Sequence, residues 1–310
     1  MAGANFADRL IAATRRHGVL CVGIDPVSEK IPALFGPPGP SALESFCQAV
    51  LARCSGKVGI VKPQSAFFEA YGAPGALALE RVVDAAQRAG LLVILDAKRN
   101  DIGNTAQAYA RALLGPGAPL PADCLTVNPY LGMDSLEPFF ARAHETGCGV
   151  AVLVRTSNPG AQDFQELSAA GAPLWLRVAQ ALAPAMRRLM GGEGWSSLMV
   201  VAGATAPGEA LAIRNALPDA LFLTPGYGAQ GATADQALAG YRQGPAGPEG
   251  GVVNASRAIL YPPGAADAET AAAWEAAIDR AIDTSRLALR TLAPPASGAL
   301  PMDEAHYPIA

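Results

Sequence analysis

Eight short aliphatic runs, each separated from the next by a helix-like segment, constrain the fold of this chain most strongly. The runs are rich in β-branched residues and apolar at most positions, which is typical of parallel strands buried on both faces. They span residues 19–25, 58–64, 91–98, 124–130, 149–157, 197–205, 221–226 and 251–256. Alanine-rich amphipathic segments lie between them, at 41–54, 76–89, 134–145, 174–190 and 207–217.

This alternation predicts an α/β fold, a (β/α)8 TIM barrel, as one catalytic domain over residues 1–292. Stretches rich in proline and glycine fall between predicted elements, so they indicate loop insertions rather than domain boundaries. These stretches are 36–40, 115–121 and 244–251. A last helix is expected from about 268 to 290, followed by a proline-containing tail at 293–310. A doubly wound open sheet remains an alternative, because strand count alone does not prove closure.

Composition excludes several classes of function. The 310 residues are 51 % hydrophobic and carry a formal charge of −4, so a basic surface for nucleic acid is not expected. No apolar run reaches the length of about 18 residues that a membrane span needs, and charges near the start argue against a signal peptide. The five cysteines form no Cys-x-x-Cys pair and lie in or beside apolar runs. We therefore expect reduced core cysteines and a cytoplasmic protein.

The third run ends in opposite charges, at Asp96 and Lys98. Residues two apart in a strand share a face, and in a barrel that face is the interior at the carboxyl end, where catalytic groups lie. Asp101 adds a carboxylate on the next turn, and Thr105 can share its helical face. The structural alternative is a buried ion pair followed by a helix cap at Asn100 or Asp101.

Lysine placement favours catalysis over that alternative. The chain has only four lysines, and Lys62 and Lys98 both fall at strand ends, while Asp25 ends the first strand. Carboxylates around one rim keep neighbouring lysines protonated. Such a lysine is a proton donor rather than a Schiff-base nucleophile, which needs a lowered pKa.

The segments after strands seven and eight indicate a phosphate site. Gly226, Gly228 and Gly231 match the dinucleotide pattern Gly-x-Gly-x-x-Gly, but the early βαβ position and the downstream acidic residue are missing. In a barrel these two loops commonly bind phosphate, with glycines exposing backbone N–H groups. Arg257 is the candidate cation and Gln230 an added donor. A glycine-rich turn beside an ordinary surface arginine is the alternative.

The remaining candidates are weaker. Residues 155–161, after the fifth run, offer hydroxyl and amide groups to a bound ring, but alone they indicate only a turn. His17, His144 and His306 are interpreted as incidental surface or boundary residues. The sequence contains no His-x-x-x-His pair, nucleophile elbow or Walker-type phosphate loop.

The cluster at the end of the third run resembles a family signature. Its pattern, Asp96-x-Lys98-x-x-Asp101-Ile102-x-x-Thr105, resembles that of orotidine 5'-phosphate decarboxylases. The loop insertions and the segment 226–231 resemble the longer-chain bacterial subgroup of that family, type 2. The match extends from the first strand to the eighth. The other matching residues follow in the family's order: Asp25, Lys62, Ser157, Pro225, Gly226, Gln230 and Arg257.

The resemblance implies the decarboxylation of orotidine 5'-phosphate to uridine 5'-phosphate in de novo pyrimidine biosynthesis. Lys98 would protonate C6 of the pyrimidine. The catalytic residues would form one charged array: Lys62, Asp96, Lys98 and Asp101. The family works without metal or organic cofactor, so neither is expected here.

The resemblance also assigns binding roles. Asp25 and Lys62 would bind ribose hydroxyls, and Ser157 the pyrimidine edge. Gln230 and Arg257 would bind the 5'-phosphate. Three residues would complete the site of a neighbouring subunit, which implies a homodimer with shared active sites: Asp101, Ile102 and Thr105.

Two other functions remain open at this point. Related sugar-phosphate lyases or aldolases share the Asp-x-Lys-x-x-Asp strand and the phosphate end, and those relatives use metal. A catalytically silent nucleotide-binding protein would keep the phosphate site without the chemistry, although the intact charged array argues against it.

Overall fold

A closed barrel of eight parallel strands forms the centre of the protein. The computed structural model describes residues 4–228, 230–266 and 268–291. Each strand pairs with the next along the chain, and the last pairs with the first, so the predicted barrel is confirmed and the open sheet is excluded. The strands are β1 Leu20–Ile24, β2 Ile60–Pro63, β3 Leu92–Arg99, β4 Cys124–Val127, β5 Gly149–Arg155, β6 Ser196–Ala202, β7 Ala220–Thr224 and β8 Gly251–Ala255.

Helices surround the barrel and cover the outer faces of its strands. In chain order, the described helices are α1 Phe6–His17, α2 Pro40–Cys54, α3 Ser65–Glu69, α4 Gly72–Arg88, α5 Gly103–Leu113, α6 Met133–Thr146, α7 Leu174–Ala181, α8 Ala183–Arg188, α9 Pro207–Ala216, α10 Ala234–Ala237, α11 Arg257–Leu260 and α12 Ala271–Ala288. Within this described part, no helix is both long and apolar enough to cross a membrane. The predicted tail at 293–310 lies outside the described residues.

Two local predictions were wrong. The single helix expected over 174–190 is two helices, because Pro184 lacks the N–H that a continuous helix would need at that position. The expected loop at 244–251 contains a β-strand, Gly247–Glu249, which pairs with Arg242–Gly244 in an antiparallel hairpin. A second small hairpin, between Ser168–Ala169 and Ala172–Pro173, was not predicted.

The barrel interior is packed at the amino-terminal end of the strands. Every strand contributes one fully buried side chain there: Cys21, Ile60, Ile94, Cys124, Ala151, Met199, Leu221 and Val252. The outer faces of the strands belong to a second apolar core, shared with the surrounding helices. At this end the interior is therefore a filled core rather than a pore, and a cavity opens at the carboxyl ends of the strands.

Helix α1 closes the amino-terminal end of the barrel. Its apolar face contributes Phe6, Leu10 and Ile11 to the interior core, all fully buried. A Cβ at Gly149 would lie 2.3 Å from Cδ1 of Phe6, so glycine is needed for this ring to approach β5. Asn5 caps the helix by accepting a hydrogen bond from the N–H of Asp8 at 3.0 Å.

Arg214 on α9 is a buried arginine that serves the fold. Its guanidinium lies 4.0 Å from the centroid of the Phe222 ring. It donates to five backbone carbonyls around the starts of β7 and β8, those of Leu217, Pro218, Ala220, Gly240 and Gly250. Burial lowers the pKa of Arg214 to about 9, so the side chain is still charged at neutral pH.

We expect Arg214→Met to lower the free energy of unfolding by about 3 kcal/mol, because several buried carbonyls lose their donor. Urea unfolding followed by circular dichroism measures this change. Arg81→Met is the control, since the Arg81 side chain is 56 % exposed and should cost less than about 0.5 kcal/mol. Equal losses for the two variants would contradict the role assigned to Arg214.

Candidate functional site

A cavity of about 300 Å³ opens at the carboxyl ends of the strands. Its floor is the layer of inward-facing side chains just above the packed core. Each floor residue lies two positions after a core residue of the same strand, and residues two apart in a strand share a face. The floor residues are Lys62, Asp96, Thr126, Leu153, Val201, Leu223 and Asn254. The volume is at the small end of ligand pockets, and most of the charge lies on the side of β2 and β3.

Seven of the ten predicted site residues line this one cavity. They are Asp25, Lys62, Asp96, Lys98, Ser157, Gln230 and Arg257. The other three, Asp101, Ile102 and Thr105, do not line it within one chain.

Asp96 is the centre of the charged array. Its two carboxylate oxygens accept from different lysines, Oδ2 from Nζ of Lys62 at 2.7 Å and Oδ1 from Nζ of Lys98 at 2.6 Å. Nζ of Lys62 also lies 3.9 Å from Oδ1 of Asp25. The alternating order of Asp25, Lys62, Asp96 and Lys98 gives each inner charge an opposite neighbour on both sides.

Burial and pairing act in opposite directions on the inner charges. Burial alone would lower the pKa of Lys62, but the carboxylates of Asp96 and Asp25 outweigh it and raise that pKa above its usual value. Burial would likewise raise the pKa of Asp96, but the ammonium groups of Lys62 and Lys98 hold it well below its usual range. The buried pair is therefore ionised throughout the physiological pH range.

Lys98 differs from Lys62 in exposure. Its side chain is 47 % exposed, whereas that of Lys62 is 6 % exposed. The ammonium of Lys98 thus stands over open cavity space, with the Asp96 carboxylate on its inner side. Such a group can stabilise negative charge that develops on a bound molecule and can deliver a proton to it.

Polar residues that the sequence analysis did not select also line the cavity. The hydroxyl of Thr126, in β4, is buried and donates to Oδ1 of Asp96 at 3.1 Å. Asn254, at the end of β8, donates through Nδ2 to Oγ of Ser256 at 3.2 Å. A Cβ at Gly23 would lie 1.9 Å from that Oγ, so glycine in β1 makes room for Ser256.

Tyr261, which follows α11, fixes the loop that carries Asp25. Its hydroxyl oxygen accepts from the N–H of Val27 at 2.6 Å and donates to the carbonyl of Asp25 at 3.2 Å. Burial raises the pKa of Tyr261, so the phenol keeps its proton and this donor at neutral pH. Nothing in the local sequence indicated this role, because the two segments are far apart in the chain.

The predicted phosphate end lies on the other side of the same cavity. Gly226 and Gly228 have φ of +100° and +69°, a backbone conformation that favours glycine. A Cβ at Gly226 would lie 3.1 Å from Oε1 of Gln230 and 3.2 Å from Cβ of Ser157. This glycine therefore lets the turn after β7 pack against the predicted ring-binding and phosphate-binding side chains. Arg257, the first residue of α11, is exposed at the cavity rim.

The residues predicted to reach a neighbouring subunit lie at the surface. Ile102 is an apolar side chain with 57 % exposure, and Thr105 is also exposed. Asp101 accepts the N–H of Ile102 at 2.8 Å, while Ile102 precedes the helix without a side-chain cap. The alternative in which Asn100 or Asp101 caps this helix is therefore wrong.

Two of the three histidines, His17 and His144, do not line the cavity. His17 and His144 lie on α1 and α6. His306 falls outside the described residues. Clusters of three or more His, Cys, Asp or Glu side chains suited to a metal ion do not occur among residues 4–228, 230–266 and 268–291.

The chain is similar to known proteins over most of its length. Residues 18–273 match the model of the family described as orotidine 5'-phosphate decarboxylase / HUMPS family. The orotidine 5'-phosphate decarboxylase of Rhodopirellula baltica is 41 % identical over 269 residues, which cover 83 % of this chain and 88 % of the relative. That of Roseiflexus castenholzii is 43 % identical over 260 residues, covering 83 % and 89 %.

A solved structure agrees over nearly the whole fold. The Leishmania donovani OMP decarboxylase superposes with a TM-score of 0.72 at 31 % sequence identity, and the match covers 92 % of this chain and 98 % of that one. The likeness therefore extends over nearly the whole chain rather than a single motif.

The buried array predicts how stability depends on pH. The pKa of Asp96 is lower in the folded protein than in the unfolded chain, so its contribution is present at neutral pH and is lost as pH falls below about 5. Asp96→Asn should therefore flatten the acid limb of the stability profile. At neutral pH it should also cost about 3–5 kcal/mol, because Lys62 loses its main partner.

Urea unfolding between pH 3 and pH 8 measures both effects. Asp283→Asn is the control, since the side chain of Asp283 is 54 % exposed and its ion pair with Lys57 should contribute less than about 1 kcal/mol. An acid limb of Asp96→Asn as steep as that of the wild type would rule out the predicted linkage.

Proposed function

The chain belongs to the orotidine 5'-phosphate decarboxylase / HUMPS family, and we propose that it decarboxylates orotidine 5'-phosphate to uridine 5'-phosphate, with Lys98 as the proton donor. This carboxy-lyase reaction belongs to de novo pyrimidine biosynthesis. One observation carries the assignment of Lys98. Its half-exposed ammonium is hydrogen-bonded to a buried carboxylate and faces a cavity whose opposite rim carries a glycine turn and Arg257.

The chemistry explains why the reaction needs a fixed ammonium. When the bond between C6 and the carboxylate breaks, carbon dioxide leaves and the electron pair stays on C6 as a vinylic carbanion. No neighbouring group of the ring can delocalise that pair. The ammonium of Lys98 stabilises it electrostatically and then transfers a proton to C6, after which solvent reprotonates the lysine.

Asp96 has two roles in this proposal. It holds Nζ of Lys98 through the hydrogen bond at 2.6 Å, and Lys62 balances its charge from the other side. Asp96 also lies beside the position proposed for the departing carboxylate, where a second negative charge favours its loss. A ground-state contribution of this kind would add to the stabilisation of the transition state.

The substrate is proposed to lie across the cavity. Arg257 and Gln230 bind the 5'-phosphate, Ser157 contacts the pyrimidine edge, and Asp25 and Lys62 bind the ribose hydroxyls. These side chains support the proposal because they line one continuous cavity from the charged array to the glycine turn. Phosphate contacts remote from C6 supply binding energy that orders the site around the reacting atoms.

A homodimer with shared active sites is the second part of the proposal. Asp101, Ile102 and Thr105 would enter the cavity of the neighbouring subunit. Exposed apolar side chains near this segment support an interface with a second subunit, because such side chains are usually covered in an assembly. In a single chain, Ile102 is 57 % exposed, Tyr130 is 81 % exposed and Leu131 is 48 % exposed. They follow β3 and β4, on the side of the barrel where the charged array lies.

The proposal also includes a cytoplasmic location and a catalytic unit spanning residues 1–292. The five cysteines support a reducing compartment because they are all free and buried. Burial raises the pKa of Cys21 to about 12, so its thiol stays protonated and unreactive at neutral pH.

The wild-type reaction can be followed by the loss of pyrimidine carboxylate absorbance when purified protein meets orotidine 5'-phosphate in the presence of a chelator. The absorbance should fall to completion. No change, or a strict requirement for magnesium together with activity on a ketose phosphate, would refute the proposed function in favour of a metal-using lyase.

Lys98→Ala should lower kcat by about 10⁴-fold or more, because it removes both the electrostatic stabilisation and the proton. Binding of uridine 5'-phosphate, measured by calorimetry, should weaken by less than about tenfold, since the phosphate contacts remain. Arg257→Ala should chiefly weaken transition-state stabilisation and so lower kcat/KM, and it should also clearly weaken the binding of uridine 5'-phosphate, because a phosphate contact is lost.

Lys57→Ala is the matched control, because Lys57 forms surface ion pairs with Asp279 and Asp283 and should leave kcat unchanged. Near-normal turnover by Lys98→Ala would overturn the proposed mechanism.

Subunit mixing tests the shared site. The Lys98→Ala and Asp101→Ala proteins should each be nearly inactive alone. In a mixed dimer, one site combines an intact Lys98 with the partner's intact Asp101, so random mixing should restore about a quarter of wild-type activity. Activity that stays at the level of the separate variants would show that Asp101 does not serve the neighbouring site.

A further inference from the structure

The pairing of β3 with β4 becomes irregular at the catalytic strand end. Leu95 pairs with Leu125, but the next pair is Arg99 with Val127, so the register shifts between them. Between these pairs, β3 has three residues (Asp96, Ala97 and Lys98), whereas β4 has only Thr126. The extra residues on β3 form a bulge, which bends the strand and redirects its side chains.

The side chain of Thr126 replaces the missing backbone ladder. Its Oγ1 accepts the N–H groups of both Ala97 and Lys98 at 2.9 Å. Its single proton has two acceptors in reach, Oδ1 of Asp96 at 3.1 Å and the carbonyl of Leu95 at 3.4 Å. The carboxylate of Asp96 is the closer acceptor and is charged, so the Thr126 hydroxyl donates its proton to it. With two N–H groups accepted and one proton donated, this hydroxyl makes every hydrogen bond that it can make.

The backbone that Thr126 holds is strained. Lys98 has φ of +45°, a left-handed conformation that costs a residue other than glycine about 1–3 kcal/mol. In this conformation Nζ of Lys98 donates to the carboxylate of Asp96, two residues earlier. Thr126 is 1 % exposed, so its hydrogen bonds to the bulge are shielded from competing water.

From these contacts we infer that Thr126 is a positioning residue for the catalytic lysine. One hydroxyl fixes the N–H groups of the bulge and the carboxylate of Asp96, and it thereby sets where the ammonium of Lys98 stands. The inference rests on the proposed function only for its consequence in catalysis. The geometric part concerns the backbone of Lys98 and holds whatever the substrate is.

The position of Thr126 separates catalysis from binding. It contacts the array, whereas the proposed phosphate groups, Gln230 and Arg257, follow β7 and β8. Loss of the hydroxyl should therefore misplace Lys98 and leave the phosphate site intact. A misplacement of about 1 Å at a reacting group can cost about 10²-fold in rate.

The test compares Thr126→Val with Thr126→Ser. Valine keeps the shape but removes the hydroxyl, so kcat should fall by about 10²-fold while KM for orotidine 5'-phosphate stays within about threefold. Serine keeps the hydroxyl and should restore kcat to within about fivefold of the wild type. If Thr126→Val does not fold, Thr126→Ala, which only removes atoms, carries the same expectation.

Thr14→Val is the matched control. Thr14 is also buried, and its hydroxyl donates to the carbonyl of Ile11 on α1, at the other end of the barrel. Its loss should lower stability without changing kcat. A kcat of Thr126→Val within about threefold of the wild type, or equal losses for the serine and valine variants, would overturn the inference.

A crystal structure of Thr126→Val separates this inference from the proposed function. Lys98 should leave the left-handed region, and its Nζ should no longer lie within hydrogen-bond distance of Asp96. An unchanged Lys98 would refute the positioning role even if the wild type is active. An inactive wild type would refute the proposed function, while the displaced Lys98 would still support the role of Thr126.

Discussion

The pairing of one buried carboxylate with two lysines is the interaction on which the rest of the site depends. Asp96 and Lys62 are 7 % and 5 % exposed, and an isolated charge at that depth would be neutralised or expelled. Each is tolerated because the other is present, and Asp25 and Lys98 extend the alternation outward. Of the two lysines, Lys98 has a side chain that is 47 % exposed and Lys62 one that is 6 % exposed, so the array directs the ammonium of Lys98 towards the cavity.

The barrel supports this array by separating its two ends. The amino-terminal half of the interior is apolar and is closed by α1, so the charges lie on an apolar layer. One layer higher, the inward positions of β2, β3 and β4 become Lys62, Asp96 and Thr126. The low polarity of the layer beneath strengthens the electrostatic interactions between these charges. On the opposite side of the cavity, the glycine turn after β7 can bind an anion through its backbone N–H groups.

Backbone strain lies where the chemistry is proposed. Lys98 has a positive φ inside a β-strand, and a bulge opposite Thr126 accommodates it. Strain of this kind persists only when surrounding contacts determine the conformation, and here two N–H groups and a carboxylate share one hydroxyl. The fold thus uses a residue of the neighbouring strand to hold the backbone conformation at Lys98.

The sequence by itself determined the eight strands and the charged residues of the cavity, because the apolar runs specify the strands and the charged residues stand at their ends. Closure of the strands into a barrel was decided by the tertiary structure. Asp25, Lys62, Asp96 and Lys98 could be grouped in this way, since parallel strands bring their carboxyl ends to one rim. The roles of Thr126 and Tyr261 depended on the tertiary structure. Their contacts join residues 28 to 236 positions apart, and a local pattern carries no information on which hydroxyl meets which backbone group. The bulge at Lys98 was likewise decided by tertiary structure, because it arises from the pairing of two strands rather than from the sequence of either one.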